Sequence, residues 1–180
     1  MDMDYGTKCA LISGICVWLS SGMSSHAVAG PIDFVEQAGV VGLSHSHATV
    51  SAAPDMEFMC GGGVVGDFDR DGDQDLFVIG GSGGIDLLYW NDGNGNFTEG
   101  GVAAGVARSH RGSGAAAGDY DNDGDLDLMV TSTGTVANGM LPGQNIFYRN
   151  NGDGTFTDVT AIAGVAMNNP NNGDAFSPAF

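Results

Sequence analysis

Two stretches of the sequence constrain its fold more than any other feature. Asp67 to Asp75 reads DFDRDGDQD, and Asp119 to Asp127 reads DYDNDGDLD. In both, aspartate takes every second position of nine residues. At roughly 6 Å in water, neighbouring carboxylates repel by about 0.7 kcal/mol per pair. A chain that writes this grid twice needs something that relieves the repulsion. Ten of the 22 acidic residues lie in the grids; with only 5 Lys and Arg, the formal net charge is −17. That balance makes nucleic acid and anionic membrane surfaces poor partners. An acidic disordered tail is the common alternative, but each grid carries a central glycine and runs straight into an apolar segment, LFVIG or LMVTS.

A hard cation answers the repulsion. Ca2+ takes about six to eight oxygen ligands at roughly 2.3–2.6 Å, and a D-x-D-x-D-G loop curls alternate side chains toward one centre, with glycine permitting the sharp turn. Asp67, Asp69 and Asp71 are candidate side-chain ligands at loop positions one, three and five, and Gly72 makes the turn. Asp73 would contribute its backbone carbonyl, with its carboxylate free to point away; Asp75 would close the site directly or through water. The second loop maps alike through Asp119, Asp121, Asp123, Gly124, Asp125 and Asp127. Mg2+ demands a stricter octahedron, and soft metals favour Cys or His, so two Ca2+ sites are expected. An EF-hand needs Glu at position twelve and a helix behind it. Val78 and Val130 stand there instead, in strand-like runs, so each loop feeds a strand.

The grids belong to a longer repeat. Their first residues are 52 apart, whereas a second shared block, LYWNDGNGNFTEGGVAAGV (88–106) and FYRNNGDGTFTDVTAIAGV (147–165), is offset by 59. The turn-rich stretch TSTGTVANGMLPGQN absorbs the difference as a longer loop. A shorter relic, IDFVEQAGV (32–40), resembles the end of that block. Each unit reads as a small-residue run, the grid, an apolar β-branched run, a second run ending in Asn, a Gly/Asn/Asp turn and a third run. This is the pattern of short strands joined by hairpins, with no helical period outside the N-terminal segment. Four antiparallel strands per unit of this length predict an all-β fold, a partial β-propeller of about two complete blades with partial ones.

The N-terminus predicts a secretory signal segment over 1–29. Lys8 precedes the apolar run CALISGICVWL, and AVAG offers a cleavage site after Ala29. The run is too short to span a bilayer comfortably, so the mature chain is expected to have no membrane span. Cys9 and Cys16 would leave with the signal, and Cys60 would remain as a packed thiol without a disulfide partner. The expected organisation is a signal (1–29), a partial blade and inter-blade loop (30–60), repeat one (61–111), repeat two (112–172) and the start of a further repeat (173–180).

GDFDRDGDQDLFV and GDYDNDGDLDLMV, with the hairpin blocks that follow, resemble FG-GAP/VCBS repeats, the Ca2+-binding blades of integrin-α-like propellers. The hairpin-and-AGV block is similar to the secreted bacterial branch related to the cartilage acidic protein/UnbV group. The resemblance covers the chain from about Ile32 onward. It implies metal ligands at the aspartates named above and a non-catalytic role in adhesion or recognition of a protein or carbohydrate ligand. Closure needs about four to eight blades, so the rest of the propeller is expected from sequence beyond this chain.

Other residues carry weaker signals. His45 and His47 fall on one face of a strand, but zinc would need further ligands. Arg108, His110 and Arg111 form the only basic cluster, expected to pair with the protein's own acidic surface rather than with a partner's carboxylate. Tyr89, Trp90, Phe147 and Tyr148 precede the hairpin turns and fit packing between blades better than stacking on sugars. The turns NDGNGN and NNGDG are explained by tight-turn chemistry. No Gly-x-Ser-x-Gly elbow, His-Glu-x-x-His or nucleophile with a base occurs, and aspartates committed to Ca2+ are poor acid–base pairs. Two functions stay open: a secreted, extracellular or cell-surface Ca2+-stabilised binding module, or the non-catalytic propeller region of a secreted enzyme such as a polysaccharide lyase or phospholipase.

Overall fold

The structure, a computed structural model, describes residues 11–12, 15–16, 35–47, 61–81, 84–133, 145–166 and 178. The remainder of the expected signal segment, Cys60, most of the expected partial blade and nearly all of 173–180 lie outside the described residues. The chain divides into two units, Met1–Val35 and Glu36–Phe180. In the first, β1 (Leu11–Ile12) and β2 (Ile15–Cys16) pair antiparallel, with Leu11 opposite Cys16. Among the described residues no helix is long and apolar enough to cross a membrane.

The second unit is all-β and holds two four-stranded antiparallel sheets, the blades of a partial propeller. The first runs β3 (Gly63–Gly66), β4 (Asp75–Val78), β5 (Leu87–Asn91) and β6 (Phe97–Glu99), each strand beside its sequence neighbour. The second runs β7 (Gly112–Gly118), β8 (Asp127–Ser132), β9 (Ile146–Asn150) and β10 (Phe156–Asp158) in the same order. Every strand pair within the two blades is antiparallel. The grids fill the β3–β4 and β7–β8 connections, and the last aspartate of each opens the next strand, opposite Gly66 or Gly118.

Apolar side chains of both blades form one core. Phe77, Ile79, Leu88 and Val106 of the first repeat pack with Leu128, Val130, Ile146 and Tyr148 of the second. Each such buried aliphatic or aromatic side chain contributes about 1.5–3 kcal/mol. Phe68 belongs to this core although it lies inside the first grid; it is 1% exposed and meets the Phe156 ring edge-on at 6.1 Å. The first strands of the two blades touch, and the Gly61 amide donates to the Gly112 carbonyl at 2.9 Å.

Two one-turn helices differ from the expectation of no helix outside the N-terminal segment: α1 (Gly101–Ala104) and α2 (Thr160–Ala163). Four residues are too few for a 3.6-residue period to register in the sequence. Both stop at a left-handed glycine, Gly105 (φ 82°) and Gly164 (φ 72°), a common helix stop. The described part of the expected partial blade, 35–47, is a turn with irregular chain rather than strand. It docks on the first blade: Phe97 donates its amide to the Val41 carbonyl at 2.7 Å, and the Tyr89 hydroxyl donates to the Ser44 carbonyl at 2.9 Å.

Candidate metal centre

Both grids fold into the same loop. Position six is left-handed in each, Gly72 at φ 96° and Gly124 at φ 91°. Nothing lies within 4 Å of a Cβ built on Gly72, so backbone conformation alone requires glycine there. Position four is left-handed too, at Arg70 (φ 62°) and Asn122 (φ 59°). Asn tolerates this region, whereas Arg bears a cost of about 1–2 kcal/mol. The aspartates then pull the turn closed. The Gly72 amide donates to Asp67 Oδ2 (3.1 Å), the Asp71 amide to Asp69 Oδ1 (3.2 Å) and the Asp73 amide to Asp71 Oδ1 (2.9 Å). In the second loop Asp119 receives the amides of Asp123 (3.1 Å) and Gly124 (3.0 Å), and Asp123 Oδ1 that of Asp125 (2.9 Å).

Each loop converges three carboxylates. Oxygens of Asp67, Asp69 and Asp71 lie within 4.8 Å of one another, as do those of Asp119, Asp121 and Asp127. The first triad contains a buried oxygen, Asp67 Oδ1, that has no hydrogen-bond partner among the described residues. A buried carboxylate oxygen left without a donor is costly, and a cation supplies what it lacks. The Asp69 carboxyl is raised above its ordinary value by burial, with the charges of Asp71 and Asp67 adding to this and the Asp71 amide opposing it. The repulsion read from the sequence is thus present in the folded loop. The donor set is all hard oxygen, which suits Ca2+.

The last grid aspartates are buried pins. Asp75 and Asp127 are both 0% exposed. Asp75 Oδ2 accepts the Phe68 amide (3.0 Å) and Oδ1 the Asn91 amide (2.9 Å). Asp127 Oδ2 accepts the Tyr120 amide and Oδ1 the Asn150 amide, both at 2.9 Å. Each ties the start of its loop to the third strand of its blade. Burial raises both carboxyls, the two amides pulling the other way. Asp127 also belongs to the second triad, while Asp75 stands outside the first and Asp123 outside the second.

The carboxylates at position seven lie against the hairpin turns. A Cβ on Gly93 would collide with the Asp73 carboxylate, and one on Gly152 would come within 2.8 Å of Asp125 Oδ2. Both carboxylates therefore face the hairpin turn of their own blade. Asp125 Oδ1 also meets Arg70 Nε at 2.7 Å.

Sequence reasoning missed Arg70 and the asparagines that end β5 and β9. Asn91 Nδ2 donates to the Gln74 carbonyl (3.1 Å) and Asn150 Nδ2 to that of Leu126 (3.2 Å), so both brace the grid from the neighbouring strand. The recurrence of Asn before each hairpin turn, YWN and YRN, was the available signal.

The remaining candidates resolve into structural roles. Arg108 Nη1 pairs with Asp158 at 2.8 Å on the surface. His110 Nε2 meets Asp86 at 2.6 Å in the interior, a deeper pairing than the surface one expected. Arg111 accepts the Thr133 amide on its backbone carbonyl. Tyr89, Phe147 and Tyr148 are buried and Trp90 is half-buried against the core, which fits packing. His45 and His47 meet edge-on at 6.4 Å; among the described residues they join no group of three metal-ligating side chains. Asp92 is held below its ordinary value by the Asn96 side chain and the Asn94 and Asn96 amides, the turn chemistry expected of that hairpin.

A comparison with curated proteins gave no match. Residues 67–130, from the first aspartate of the first grid to the strand behind the second, match the family described as an FG-GAP-like repeat. That match takes in both grids and the strands between them, so the repeat-bearing part of the chain is similar to FG-GAP-like repeats.

Proposed function

We propose that the chain is a Ca2+-binding propeller segment that serves as a non-catalytic recognition or adhesion module of a secreted protein. The observation that carries this reading is the pair of convergent aspartate triads, the first with its buried, unpaired Asp67 Oδ1. FG-GAP-like repeats form a non-catalytic module family, which supports a binding role. A cation in each loop offsets the carboxylate repulsion and holds the strands on either side in register. The partner, a protein or a carbohydrate, is met by the assembled propeller.

The test is thermal melting with Ca2+ and with a chelator. At millimolar Ca2+ and a Kd of about 0.1 mM, each site adds roughly 1.4 kcal/mol. Asp69→Ala and Asp121→Ala should each remove about half of the Ca2+-dependent rise in Tm, and the double variant nearly all of it. Equal melting temperatures in Ca2+ and chelator overturn the reading.

A further inference from the structure

We propose that Arg70 couples the two cation loops, so that filling the first raises the affinity of the second. This inference rests on the cation reading above and adds a relation between the two sites.

Arg70 sits between two members of the first triad, Asp69 and Asp71, with its backbone in the left-handed region at φ 62°. Its side chain leaves its own loop and ends on the other. Nη2 donates to the Asp123 carbonyl at 2.8 Å, Nε donates to the Gly124 carbonyl at 3.0 Å, and Nε lies 2.7 Å from Asp125 Oδ1. Those three residues are positions five, six and seven of the second loop. An exposed ion pair alone orders little. Here the planar fork grips two successive carbonyls at the turn as well as a carboxylate that is only 10% exposed, a geometry that lysine cannot reproduce.

The coupling follows from where the two ends of Arg70 are fixed. A cation drawing Asp67, Asp69 and Asp71 together also fixes the Arg70 backbone between them. The guanidinium is then delivered to the second loop already oriented, and the turn that presents Asp119, Asp121 and Asp127 is ordered before its own ion arrives. Ordering shared by two ligands is paid once, which is positive cooperativity. The guanidinium charge beside the second loop opposes a cation there, but Asp125, outside the triad, offsets it. By linkage the second loop favours the first by the same factor. Arg70 is a positioning residue; it touches neither ion.

The experiment is a calorimetric Ca2+ titration of the intact chain in a double-mutant cycle. Asp69→Ala, which disables the first loop, should weaken binding at the second by about fivefold, the low end for coupled sites. In an Arg70→Ala background the same change should leave second-loop affinity unmoved, and Arg70→Lys should restore less than half of the coupling. A merely structural Arg70 lowers second-loop affinity equally whether or not the first loop works; that result overturns the proposal. Two independent sites in the unaltered chain overturn the coupling and leave the cation reading intact, while absence of any binding heat overturns both. Circular dichroism of each variant establishes that the blades are folded, and a folded Arg70→Ala that retains full coupling also overturns the proposal.

Discussion

Asn91 and Asn150 occupy the same position in the two repeats, yet the structure gives them different weights. Asn150 is 1% exposed. Its Nδ2 donates to the Leu126 carbonyl (3.2 Å) and, across the blade boundary, to the Phe68 carbonyl (2.8 Å); its Oδ1 accepts the Gly152 amide (3.0 Å). Among the described residues the Asn91 side chain makes two local bonds, to Gln74 (3.1 Å) and from Gly93 (3.2 Å), and both are exposed. Asn150→Ala strips the donor from a buried carbonyl, worth about 1–3 kcal/mol, and loses two further bonds that water replaces in part, for a total of about 2–4 kcal/mol. Asn91→Ala should cost about 0.5–1.5 kcal/mol, because water reaches both partners. Urea denaturation of the two variants, read as the shift of the midpoint at constant m, measures the difference. An Asn91→Ala variant as unstable as Asn150→Ala would refute the claim that the inter-blade bond sets the hierarchy.

Two further predictions concern strain and pH. Gly93 and Gly95 share one hairpin turn and are both left-handed (φ 74° and 81°), but only a Cβ on Gly93 meets the Asp73 carboxylate. Gly95→Ala should cost about 1–2 kcal/mol from backbone strain, and Gly93→Ala more, as measured by urea midpoints; equal costs would place the Asp73 carboxylate elsewhere. Burial pushes the Tyr148 hydroxyl up to about 12, with Arg108 only partly offsetting it. The unfolded group titrates near 10, so its contribution to stability is complete below about pH 10 and is lost as pH rises toward 12, on the order of 2 kcal/mol. Tyr148→Phe should flatten that alkaline loss in denaturation curves taken from pH 8 upward; an unchanged slope counts against a buried neutral phenol.

The blades were legible in the sequence because strands, turns and grid are local. Alternating burial in Asp75–Val78 follows from strand geometry, and the five-aspartate grid with its central glycine dictates a closed loop before any contact is known. The helices at Gly101–Ala104 and Thr160–Ala163 left no trace, since one turn has no period. What sequence could not reveal depends on where one blade meets the next. Phe68 and Tyr120 are equivalent in the grids, yet Phe68 is buried beneath the second blade whereas Tyr120 is 46% exposed. Arg70 and Asn122 are equivalent as well, and only the spatial approach of the two loops turns Arg70 into a bridge. Asp75 and Asp127 read as closing ligands; their burial and paired amides show that each also joins loop to sheet, a role invisible to spacing alone.

The most direct test of the two-loop account is the count of Ca2+ ions bound, measured by equilibrium dialysis with radiocalcium. The two aspartate triads predict two ions per chain, one after Asp67→Asn and one after Asp119→Asn. No bound calcium, or a count of two that survives both substitutions together, contradicts the account.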